Sequence, residues 1–196
     1  MKWILYLYFS THQSNYQSLY LSKKSSKIIY CSIAGFGQDG PYAKKPGYDF
    51  IIQALSGIMD LTGEKDKEPQ KMGVAFSDIF TGLYSVIAIQ SALKVREETG
   101  KGQHLDMSLM DSMTAVLANQ ALNYFVSGHA PSRLGNKHPN IVPYQTFPTK
   151  DGFLVIAVGN NQQFERLCKA LDINQSSFLE KFNSNQKRVA QREKVV

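Results

Sequence analysis

Two kinds of apolar pattern alternate along this chain. Lys27 to Gly35, KIIYCSIAG, is a nearly continuous β-branched and aromatic run closed by glycine, as in a strand covered on both faces. Gly35 to Gly47, GFGQDGPYAKKPG, is rich in turn residues and reads as a loop. YDFIIQALSGIMDLTG follows with Phe50, Ala54 and Ile58 at helical spacing and a glycine at its far end, so the order is strand, loop, helix. From Asp78 to about Thr99 there is little charge before Lys94. Leu83, Val86, Ile87 and Leu93 predict a long buried helix there, stopped by Gly100. Gln103 to Met107 reads as a short strand, leading into a helix whose stripe is Leu109, Met113, Val116 and Leu117.

The pattern changes after Gly128. HAPSRLGNKHPNIVPYQTFPTKDG holds four prolines and little periodicity, which predicts a connector and a domain boundary. YQTFPTKDGFLVIAVGN alternates about a turn at Lys150–Gly152 and predicts a hairpin, and NQQFERLCKALD predicts a helix. The last 25 residues are polar and weakly patterned, like an interrupted domain.

With 196 residues, 43% of them hydrophobic, the chain can bury one core and part of a second. Mixed charges and the absence of repeats or long polar tracts argue for an ordered α/β fold. Lysine and arginine exceed aspartate and glutamate by 22 to 16, a surplus spread along the chain with modest clusters near Lys23–Lys27 and in the last ten residues. It suits phosphate-bearing ligands, but no basic patch carries interleaved aromatics, so no nucleic-acid partner is expected. Cys31 and Cys168 are far apart and His12, His104, His129 and His138 are scattered, which predicts free thiols, a reducing compartment and no metal site. The apolar run Trp3 to Phe9 is seven residues long, too short to span a bilayer, and lacks a nearby cleavage site; it reads as a frayed or truncated start. These features predict a cytoplasmic protein without a membrane partner.

Gly35, Gly37 and Gly40 match the spacing of a dinucleotide fingerprint, and Asp60 lies about twenty residues on. The motif must open a helix, however, and Pro41 followed by Pro46-Gly47 forbids one. The glycines therefore read as a loop. At Asp78 two compatible roles are open. Ser77 and Asp78 both suit a helix N-cap, while a carboxylate nucleophile would want the same place, kept ionised by the helix dipole with Gly73, Ala75 and Gly82 leaving room for an acyl group. Tyr48 and Asp49 start the preceding helix and could face the same pocket, the phenol towards a developing oxyanion; the plainer alternatives are a half-buried tyrosine and another cap. Asp106, at a strand end, and Asp111, in a first helical turn, read as structural.

IIYCSIAGFGQDGPYAKKPGYDFIIQALSGIMDLTG, GVAFSDIFTGLYSVIAIQSAL, TGKGQHLDMSLMDS and NIVPYQTFPTKDG occur in the order seen in class III CoA-transferases of the CaiB/BaiF type, and residues 27 to 172 resemble that family. Gly159 to Asp172 is most similar to the branch containing succinyl-CoA:glutarate CoA-transferase. The resemblance implies the second part of a Rossmann-like large domain and part of a small α/β domain. Residues 1–26 are a poorly matched segment, 27–127 the partial large domain, 128–143 a linker and 144–196 the partial small domain. It also implies that Asp78 is the catalytic aspartate, with Tyr48, Asp49, Gly35, Phe36, Asn140 and Tyr144 around the CoA thioester, and with the loop Asn136 to Tyr144 as a cover. Coenzyme A is then a substrate, with a carboxylic acid as its acceptor and no permanently bound cofactor. Racemases of the family carry histidine where this chain has Tyr48 in GYD, which favours transfer over racemisation. Family chains are about twice as long and form interlocked homodimers, which makes a complete ring doubtful for this one. The rival reading is an inactive fragment that serves only as a binding or assembly partner.

Overall fold

The computed structural model describes residues 6–9, 14–173 and 175–196, with side chains from residue 18 onward except at 174. Trp3 to Leu5 of the apolar run, and His12, lie outside them. The chain divides into two compact units. One takes the described residues up to Thr62 together with Pro69–Ser132; the other takes Gly63–Glu68 and Arg133–Val196.

The first unit is built on a parallel sheet of three strands, β1 (Tyr6–Phe9), β2 (Tyr30–Ala34) and β3 (His104–Ser108), in that order. For Tyr6 to Phe9 the expected frayed start is thus corrected. Tyr6 pairs with Tyr30 and Phe9 with Ile33, and helix α1 (Ser14–Lys24) joins the two strands. β2 is central and reads as predicted, with Tyr30, Cys31 and Ser32 buried. β3 pairs in register from Tyr30–His104 to Ala34–Ser108.

The single helix expected after the loop is two pieces, α2 (Asp49–Leu55) and α3 (Ile58–Leu61), split at Gly57 in a left-handed conformation. Phe50 and Ala54 are exposed, and Ile52, Gln53 and Ser56 are the buried residues instead. Ile52 joins Leu109 and Met113 in the core, with Ile33, Phe36, Ile58 and Phe76 packed against them.

Helix α4 (Phe76–Thr99) inverts its predicted polarity. Ser77, Thr81, Ser85 and Ala92 are buried, while Leu83, Val86 and Ile87 are each more than half exposed. The hydroxyls of Thr81 and Ser85 bury at little cost because each bonds locally. Thr81 Oγ1 donates to the Ser77 carbonyl and Ser85 Oγ to that of Thr81, both at 2.7 Å. Small residues on that side let α4 pack closely on α5 (Leu109–Ala115) and on the sheet. By length and composition alone α4 could cross a membrane. Gly100 ends it in a left-handed cap, as expected. The one helix predicted after β3 is two pieces, α5 and α6 (Asn119–Ser127), separated by a turn with Ala118 at φ of 49°; of the predicted stripe, Leu109 and Met113 lie on α5 and Val116 and Leu117 in the turn after it.

In the second unit the predicted hairpin is present, with β4 (Tyr144–Pro148) antiparallel to β5 (Phe153–Ala157). Helix α7 (Asn161–Ala170) follows, capped by the Asn160 side chain accepting from Gln163 N at 2.9 Å. The polar tail folds as α8 (Ser176–Lys181), α9 (Asn185–Ala190) and α10 (Arg192–Val195). It packs against a core of Val158, Phe164, Cys168 and Phe182. Arg188, fully buried, organises this core. Its guanidinium lies 4.5 Å over the Phe164 ring and donates to the carbonyls of Val142 and Phe182 and to Asn161 Oδ1 at 2.8–3.0 Å.

Candidate active site

The loop after β2 begins and ends at the same place. Gly35 and Gly47 lie so close that a Cβ on Gly35 would overlap the Gly47 Cα, and only two glycines permit this approach. Gly37, with φ of +78°, turns the loop towards Asp106, whose Oδ2 accepts from Gln38 N at 2.8 Å. The G-x-G-x-x-G spacing is therefore a tethered loop, and the next helix begins only at Asp49.

That closure delivers Tyr48 and Asp49 to the first turn of α4. Between them lies a cleft of about 510 Å³, of a size usual for small-molecule sites. Its walls include the end of β2 (Ile33, Ala34), the glycine pair, Pro46 and Leu109, together with Tyr48, Asp49, Asp78, Thr81 and Gly82. Asp78, Thr81 and Gly82 share it because residues three and four apart lie on one face of a helix. A Cβ at Gly82 would meet nothing within 4 Å, so the absence of a side chain there leaves space beside the carboxylate.

Asp78 is not the N-cap. Ala75 holds that position and has no side-chain oxygen to offer. Asp49 does the capping from another helix. Its Oδ1 accepts from Ser77 N at 2.9 Å and from Ser77 Oγ at 2.7 Å, while its Oδ2 accepts from Gln53 Nε2 at 2.8 Å. Gln53, fully buried, is fixed in turn by Met72 N donating to its Oε1 at 2.9 Å. Asp78 is thereby freed from structural duty and faces the cleft. Loss of water against the walls, and then the negative charge of Asp49, raise its pKa above that of an ordinary aspartate. A more basic carboxylate is a better nucleophile.

Tyr48, 73% exposed, is no half-buried tyrosine; its extended backbone leaves the ring free at the cleft. Gly35 contributes wall and also structure, its carbonyl accepting from Met110 N at 3.0 Å. Phe36 packs against the Ile52–Met113 cluster and edge-on to Tyr42 at 5.3 Å. Asn140 and Tyr144 belong to the second unit. There the Asn140 carbonyl accepts from Asn185 Nδ2, and Tyr144 lies against His138 with ring centres 5.0 Å apart. Sequence reasoning missed Gln53 and the tie between Asp49 and Ser77, since a residue that caps a helix 28 positions away leaves no local signature.

The family model described as CoA-transferase family III matches residues 13–196, further at both ends than the motifs alone. A succinate–glutarate CoA-transferase of Agrobacterium fabrum is 57% identical over 169 residues, 86% of this chain and 42% of that protein. A human succinyl-CoA:glutarate CoA-transferase is 43% identical over 86% of this chain and 39% of its own length. Among solved structures, a CAIB/BAIF family protein from Brucella suis superposes with a TM-score of 0.78 at 54% identity, covering 97% of this chain and 51% of that one. The chain thus spans about two fifths of the length of the curated relatives it matches.

Proposed function

This chain belongs to CoA-transferase family III, and on that premise we propose that Asp78 is the nucleophile through which it moves CoA from an acyl-CoA thioester to a carboxylic acid. The observation that carries the reading is the cleft, which exposes a carboxylate of raised pKa beside a gap at Gly82 and the free phenol of Tyr48.

In the proposed cycle an Asp78 oxygen attacks the thioester carbonyl, the C–S bond breaks, and a mixed anhydride and CoA thiolate form. The thiolate attacks the aspartyl Cγ and expels the donor acid as its carboxylate, leaving an aspartyl-CoA thioester. The acceptor carboxylate attacks that thioester, giving a second anhydride and thiolate. Thiolate attack on the acceptor's acyl carbon then returns the Asp78 carboxylate. No net proton or water is consumed, so the largely apolar wall serves by excluding water from the anhydrides. Tyr48 donates its phenolic hydrogen to the oxyanion that forms at each attack.

The names of the relatives support dicarboxylates as partners, with succinyl-CoA as donor and glutarate as acceptor. We further read the protein as a cytoplasmic enzyme that needs neither nucleic acid nor membrane and works as a homodimer, with residues 128–143 linking the two domains.

The test is to incubate the chain with succinyl-CoA and glutarate, follow glutaryl-CoA by mass, and trap the intermediate with hydroxylamine. We expect a modified Asp78 and at least a ~10³-fold loss of turnover in Asp78→Asn. Full turnover in that variant overturns the assignment. Exchange of the α-proton of a 2-methylacyl-CoA with deuterated solvent would favour racemisation instead.

A further inference from the structure

Helix α4 has alanine where its cap should be, and its cap arrives from Asp49 on α2. An ordinary serine at position 75 would satisfy the same N–H, so stability alone does not explain why the acceptor comes from across the cleft. The arrangement does what a local cap cannot. It ties the helix that carries Asp78 to the helix that Tyr48 leads into, and it sets a fixed negative charge beside Asp78. Gln53 is what fixes that charge. Its amide donates to Asp49 Oδ2 and accepts from Met72 N, so neither end of the amide can flip without losing a bond.

We propose that Asp49 is a positioning residue for Asp78, acting through Ser77 to aim the nucleophile into the cleft and through its charge to keep that carboxylate reactive, with Gln53 holding Asp49 in place. This rests on the reading of Asp78 as nucleophile. It gives Asp49 a role other than substrate contact, because both of its oxygens already accept bonds from the protein. The titratable groups lining the cleft are Tyr48, Asp49 and Asp78. Of these, Asp49 is the one whose charge raises the pKa of Asp78.

The inference is separable from simple folding by two variants. Asp49→Asn keeps an oxygen for Ser77 but sets an N–H against the Gln53 N–H. Adding Gln53→Glu supplies carboxylate oxygens that accept both from the amide placed at position 49 and from Met72 N. The double variant D49N/Q53E therefore recovers the hydrogen-bond pattern with the charge moved away from Ser77. The chain is labelled with ¹³C at aspartate Cγ, the Asp78 signal is assigned by its loss in Asp78→Asn, and its titration is followed by NMR beside turnover and thermal unfolding. We expect Asp78 to titrate at lower pH in both variants. D49N/Q53E should recover thermal stability yet stay about ten- to hundredfold slow in kcat, with KM for the acyl-CoA little changed. An Asp78 titration identical in wild type and in both variants overturns the proposal, as does full kcat in D49N/Q53E. The NMR arm decides even for a preparation without turnover. Full activity in Asp78→Asn removes the nucleophile reading itself, whereas an inactive Asp78→Asn beside unaltered Asp49 variants removes only the positioning role.

Discussion

Two neighbours of different kinds disfavour the ionised form of Asp78: the apolar wall that displaces water from it, and the Asp49 carboxylate. Because the folded-state pKa is raised, the native protein binds more protons than the unfolded chain between the two pKa values. Stability therefore falls as pH rises through that window. Asp78→Asn lacks this penalty. Its melting temperature relative to wild type should be nearly level below the carboxylate range and should rise above it as pH increases, while transfer activity disappears. A scan of thermal unfolding against pH checks the sign, and a melting difference that shrinks with rising pH would contradict it. The motif around Asp78 was legible in the sequence, but its local duty was not. Ser77 and Asp78 both carried capping character, and the oxygen that does the capping sits on Asp49, which only the fold brings near.

At the scale of the element, α4 shows why periodicity named the helix and misplaced its faces. Leu83, Val86 and Ile87 promised a buried stripe, yet the packed side carries Ser77, Thr81 and Ser85, whose hydrogen bonds make them as easy to bury as alanine. The same side-chain economy explains Gly82. A glycine inside a helix costs about 0.5–1 kcal/mol relative to alanine, and space for a methyl is available. Gly82→Ala should therefore stabilise the chain by about that much in denaturant unfolding, while raising KM for the acyl-CoA. Gly82→Leu should fill the cleft and abolish productive binding with the fold intact, as judged by circular dichroism. Unchanged kinetics in Gly82→Leu would place the substrate elsewhere.

Over the whole molecule, strands β2 and β3 and the hairpin followed from glycine and β-branched runs, whereas the exposed apolar surface did not. Leu83, Val86 and Ile87 on α4, and Leu122, Phe125 and Val126 on α6, are each more than half exposed, more apolar surface than a solitary chain usually leaves in water. The isolated chain should self-associate as its concentration rises. Leu83→Glu with Ile87→Lys should shift light scattering towards monomer without loss of helix content, and unchanged scattering would clear α4 of that role. The tail was unreadable for the opposite reason, since its organising side chain is a cation. Arg188→Ala should cost about 3 kcal/mol or more, because three acceptors lose their donor inside a packed core. Anyone trimming the chain for expression meets the same fact from another side. Ending it a few residues before position 188 removes a keystone, and what is left upstream would be an arch without support.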